Sequence, residues 1–119
     1  MNIPFSPPDI SQAEIDSVVE TLKSGWITTG PKTKKFESEI SEYIGTEKTA
    51  CLSSATASME MTLRLLGIGP GDEVIVPAYT YTASCSVICH VGAEPVMVDI
   101  CKDQPVMDLN LMEKAITDR

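Results

Sequence analysis

The sequence predicts an α/β layered fold with largely parallel strands, on two observations. Short β-branched runs alternate with segments of helical periodicity, and glycines stand where most of those helical segments stop. Parallel neighbours need a crossover long enough to hold a helix, and the spacing of the runs allows one each time.

The elements follow in chain order. Pro4-Phe5-Ser6-Pro7-Pro8 is a proline-rich lead that cannot be helical. Ser11 then reads as an N-cap, with Glu14 completing a capping box. Ile15, Val18, Val19 and Leu22 recur at helical spacing up to Gly25, which predicts a helix. After a loop through Trp26, Thr28 and Thr29, Pro31 opens a second helix. Phe36, Ile40, Tyr43 and Ile44 form its stripe and Gly45 its stop. Thr49–Leu52 reads as a short buried strand. A helix through Met59, Leu63 and Leu66 closes at Gly67, and Glu73–Val76 is a strand halted by Pro77. Another helix spans about Tyr81–Val91, Val96–Ile100 is a third strand, and Asp108 caps a last helix bearing Leu109, Met112 and Ile116.

The chain has 119 residues and a net charge of −8, so one domain is expected and a nucleic-acid surface or polybasic anchor is excluded. The N-terminal stretch has neither a basic region nor an apolar core of the signal-peptide kind. No apolar run nears the about 18 residues of a membrane span. The expectation is a cytoplasmic protein. Its four cysteines, Cys51, Cys85, Cys89 and Cys101, then read as free thiols buried like small hydrophobes. Cys85 and Cys89 can share a helix face, but a metal site needs further ligands and His90 points away from Cys89.

Ser53-Ser54-Ala55-Thr56-Ala57 lies where a predicted strand passes to a helix. In such folds ligands bind there, because the first helical turn leaves N–H groups unpaired at the positive end of the dipole. The segment reads either as simple capping or as a phosphate cradle. Pro77–Ser84 lies at a second such junction, where Tyr79 or Tyr81 could stack on a planar ring or fill the core. Gly67-Ile68-Gly69-Pro70-Gly71 follows a helix and precedes a strand, the reverse of a dinucleotide fingerprint, so it is a turn. There is no P-loop, and the lone His90 has no recognisable nucleophile elbow.

Four stretches carry a resemblance: Gly25–Glu37, Ser53–Met59, Leu66–Ser84 and Gly92–Ile100. In that order and spacing they resemble the N-terminal third of the DegT/DnrJ-type sugar aminotransferases, pyridoxal-phosphate enzymes that aminate nucleotide-linked keto-sugars in polysaccharide or amino-sugar biosynthesis. The resemblance implies the N-terminal portion of a fold-type I large domain, a three-layer α/β/α arrangement on a mostly parallel sheet, with residues 1–119 forming a single partial domain. It implies that Ala55 and Thr56 hold the cofactor phosphate, Tyr81 stacks on the pyridine ring and Thr28 approaches the substrate. It also implies a nucleotide-sugar substrate, an amino-acid donor and a homo-oligomer.

Family members are about three times as long. By resemblance, the lysine that binds the cofactor covalently and the aspartate that pairs with its pyridinium nitrogen lie in the unmatched part. Lys23, Lys32, Lys34, Lys35 and Lys114 read as solvated helix positions, Lys48 opens a strand at the end away from the site, and Lys102 follows a strand in a loop. The expectation is therefore a truncated, catalytically incompetent piece with weak or absent cofactor binding. The alternative expectation is a non-catalytic α/β module that pairs with itself or with a full-length homologue through open strand edges.

Overall fold

The computed structural model describes residues 3, 4 and 6–119, so Phe5 of the proline-rich lead lies outside the described residues. The chain groups into two compact units, Met1–Cys51 and Leu52–Arg119.

In the first unit, α1 spans Gln12–Ser24 and α2 spans Pro31–Ile44. The start of α1 is the capping box read from the sequence. The Ser11 hydroxyl accepts from the Ala13 N–H at 3.2 Å, and the Glu14 carboxylate accepts from the Ser11 N–H at 2.6 Å. Gly25 ends the helix in the left-handed region at φ 72°, where its N–H donates to the Leu22 carbonyl. Between the helices, the Trp26 indole N–H donates to the Thr29 carbonyl at 3.0 Å and covers Gly30. A Cβ on Gly30 would lie 2.0 Å from Trp26 Nε1, so only glycine fits beneath the ring.

The apolar stripe of α1 is not buried. Ile15 is 48% exposed and Leu22 63%, and Phe36 on α2 is also exposed. The two helices are built by local capping, with their apolar faces left open.

The second unit comprises α3 (Ala55–Leu65), β1 (Glu73–Pro77), α4 (Thr82–His90), β2 (Glu94–Val98) and α5 (Leu109–Lys114). β1 and β2 pair in parallel, with Glu73 opposite Glu94 and Pro77 opposite Val98. The Ala78 N–H extends the ladder to the Val98 carbonyl at 2.8 Å. Val76, Val87, Ile88, Val91 and Ala93 form the core, with Met59, Leu63, Ile68 and Val74 packed around them. Burial of each large side chain there contributes about 1.5–3 kcal/mol.

Three sequence expectations are corrected. Thr49–Leu52 forms no strand among the described residues. A strand exists through its ladder, and this segment meets side chains of α2 instead: the Cys51 N–H donates to Glu37 Oε1 at 2.8 Å, and the Ser41 hydroxyl donates to the Thr49 hydroxyl at 2.8 Å. The strand read at Val96–Ile100 runs over Glu94–Val98, because pairing starts opposite Glu73; Ile100 makes only an isolated antiparallel bridge to Met107. The cysteines are not buried. Cys89 is exposed and the other three are half-buried, since α4 packs through Ala83, Val87 and Ile88 and turns Cys89 away from that face.

Candidate functional site

The Ser53–Ser58 segment opens α3. Ser54 takes the extended N-cap conformation at φ −163°, and its hydroxyl accepts from the Ala57 N–H at 3.1 Å. The Ser58 N–H and hydroxyl both donate to the Ser54 carbonyl, at 3.1 and 3.2 Å. Capping is thus done by one residue. Among the described residues, the N–H groups of Ala55 and Thr56 and the Thr56 hydroxyl reach no acceptor, which leaves three donors at the positive end of the helix. Their chemistry suits a phosphate or carboxylate.

Tyr81 is the N-cap residue of α4. Its carbonyl accepts from the Ser84 N–H at 2.9 Å, and its side chain is 81% exposed. Tyr79 is exposed as well, while Thr80 and Ser84 share a hydroxyl–hydroxyl hydrogen bond of 2.9 Å. Ser58 of α3 and Ser84 of α4, each in the first turn of its helix, line one cavity of about 350 Å³ floored by Val74, Val76 and Val87. Further along, Glu60 at the middle of α3 and Arg64 in its last turn reach His90, the last residue of α4. The two helices therefore run in the same direction, and the Ala55–Thr56 donors and Tyr81 stand at the same end of the second unit. Thr28 belongs to the first unit, exposed in the loop that Trp26 organises.

His90, the last residue of α4, forms a side-chain cluster with Glu60 and Arg64 of α3. Arg64, and after it His90, hold the Glu60 carboxyl below the usual carboxylate range. The Glu60–Arg64 spacing of four residues signals half of that cluster; the contact with His90 arises only from packing. All seven lysines are exposed. Among the described residues, no three His, Cys, Asp or Glu side chains gather in a metal-sized group, and no helix is long and apolar enough to cross a membrane.

The chain shares its fold with the N-terminal part of the large domain of pyridoxal-phosphate-dependent aminotransferases, as its solved neighbours show. Residues 8–119 match the DegT/DnrJ/EryC1/StrS aminotransferase family, and the chain belongs to that family. It is 44% identical over 117 residues to the UDP-4-amino-4-deoxy-L-arabinose–oxoglutarate aminotransferase of Shewanella sediminis, covering 98% of this chain and 30% of that relative. A protein described as a sugar aminotransferase from Streptococcus pneumoniae, solved with pyridoxal phosphate, is 68% identical with a TM-score of 0.91, covering 98% of this chain and 30% of that one. The aminotransferase from Psychrobacter cryohalolentis is 33% identical with a TM-score of 0.87, covering 97% and 30%. The chain spans about a third of the length of these relatives.

Proposed function

We propose that these residues form the cofactor-phosphate part of a pyridoxal-phosphate-dependent aminotransferase that acts on nucleotide-linked keto-sugars, with an amino acid such as glutamate as donor. One observation carries the reading: Ser54 alone caps α3, and the Ala55 and Thr56 donors stay free at the strand-end side of the unit. The S. pneumoniae relative solved in its pyridoxal-phosphate form and the oxoglutarate-dependent relative support the choice of cofactor and donor. Ala55 holds the phosphate by its N–H and Thr56 by its hydroxyl, while Tyr81 lies against the ring and Thr28 approaches the sugar. Bound there, pyridoxal phosphate supplies the electron sink that amino transfer requires. Residues 1–119 are read as one portion of a single cofactor-binding domain of a cytoplasmic homo-oligomer that needs neither nucleic acid nor membrane.

Magnitudes bound what this portion does by itself. Two charge-assisted hydrogen bonds contribute about 1.5–3 kcal/mol each. The helix dipole adds up to about 2 kcal/mol and ring stacking about 1 kcal/mol. Association costs at least about 4 kcal/mol, so the net corresponds to affinity near the millimolar range. All seven lysines are solvated, and none is a desolvated amine of the reactive kind. These residues therefore hold a cofactor weakly and do not transaminate unaided.

The test is a pyridoxal phosphate titration trapped with borohydride and read by peptide mapping. Scattered labelling of surface lysines is the expected result, and a stoichiometric adduct at one lysine overturns the assignment. Thr56→Val should weaken binding of pyridoxamine 5'-phosphate by about tenfold or more, the worth of one hydrogen bond to a charged group.

The open apolar face of α1 favours a second reading, a non-catalytic module that associates with itself or with a homologue. Size-exclusion chromatography at the monomer mass would count against it.

A further inference from the structure

Outside the cradle, one side-chain cluster joins α3 to α4. Glu60 Oε1 accepts from Arg64 Nε at 3.0 Å and from Nη2 at 2.7 Å, while Oε2 lies 3.0 Å from His90 Nδ1. Arg64 Nη2 also donates to the His90 carbonyl at 3.3 Å, at the end of α4 where helix carbonyls lack intrahelical partners. Both Glu60 oxygens are thus engaged, one within its own helix and one across to the next. The carboxylate is 30% exposed, more sheltered than either partner.

We propose that Glu60, Arg64 and His90 are positioning residues that fix α3 against α4, and so fix the spacing between the Ala55–Thr56 donors and the Tyr81 ring. The proposal rests on the reading of those donors and that ring given above. Its physics is that of a lever. The Arg64–His90 contact sits at the far ends of the two helices, with Glu60 at the middle of α3, and their near ends carry the candidate contacts. A tilt of about 5° about the Arg64–His90 contact displaces the start of α3, about 13 Å away, by about 1 Å. Displacements of that size matter to a ligand that must touch both ends at once, and not to one that touches a single end. Inorganic phosphate needs the cradle only. A ligand with a phosphate and a pyridine ring needs the cradle and the aromatic in register.

The experiment compares inorganic phosphate with pyridoxamine 5'-phosphate, which lacks the aldehyde that would label surface lysines, on the unsubstituted chain, His90→Ala and His90→Asn. In His90→Ala, phosphate affinity should stay within about twofold while pyridoxamine 5'-phosphate weakens by about five- to tenfold. His90→Asn keeps a donor near the Nδ1 position and should recover most of that loss. Should His90→Ala lose its fold by circular dichroism, Glu60→Gln carries the same comparison. Equal weakening of both ligands would mean a general loss of structure and overturn the positioning role, as would no change in either. If the unsubstituted chain binds neither ligand, the cradle reading falls and takes this one with it; selective binding by the unsubstituted chain with no effect of the variants sinks this one alone.

Discussion

The two units use their apolar residues in opposite ways. In Leu52–Arg119, Val87 and Ile88 are each 2% exposed, locked between α3 and the parallel pair β1–β2. In Met1–Cys51, helices of equally clear periodicity have no buried side chain. Periodicity and caps make a helix, but burial requires a partner surface, and only the second unit carries its own. The first is held by the capping box at Ser11, the Trp26–Gly30 contact and ion pairs such as Lys32–Glu20. Exposed pairs of that kind are worth at most about 1 kcal/mol.

Paired truncations give the sharpest contrast. Ile88→Ala should destabilise the second unit by about 2–5 kcal/mol through lost burial and a cavity. Ile15→Ala should stay within about 0.5 kcal/mol. Urea unfolding followed by hydrogen exchange in each unit reads both, and equal costs would erase the distinction. A smaller effect is expected from Gly30→Ala, which forces the Trp26 ring off its seat at a cost of about 1–3 kcal/mol. Trp26 is the sole tryptophan, so its emission should shift while exchange in β1 and β2 stays unchanged.

The smallest effect concerns acid. The carboxyl of Glu60, lowered by Arg64 and then His90, and that of Glu20, lowered by Lys32, each favour the folded state while ionised. Their contribution is complete above the ordinary carboxylate range and is lost as pH falls through the lowered values. Glu60→Gln should therefore flatten the acid limb of stability in the second unit, and Glu20→Gln that in the first. A flattening that appears in the other unit for either variant would contradict the assignment of that carboxyl to its own unit.

Much of the architecture was legible because it is locally encoded. Ser11 with Glu14, Gly25, Gly45 and Asp108 mark helix ends through hydrogen bonds to residues a few positions away, and Pro31 marks one through its fixed φ and missing N–H. The β-branched run Glu73–Pro77 was equally clear. What failed depends on partners distant in sequence. Thr49–Leu52 has strand composition but no neighbour to pair with, and β2 starts at Glu94 because Glu73 sets its register. At the candidate site, the sequence singled out Ala55, Thr56, Tyr81 and Thr28. It did not reveal that Ser54 alone would cap α3, nor that His90 would meet Glu60 across thirty positions.

The β1–α4–β2 crossover also has a kinetic consequence. Every contact that ends α1 and α2 closes over a few residues, so those helices can form on the microsecond scale of helix–coil relaxation. β1 cannot meet β2 until the chain between residues 77 and 94 has coiled and docked, because the ladder joins Glu73 to Glu94. Refolding should thus deliver helical signal early and protection of the Ile75 and Val96 amides late. During that interval both strands present bare edges to other chains, which makes dilution a determinant of refolding yield.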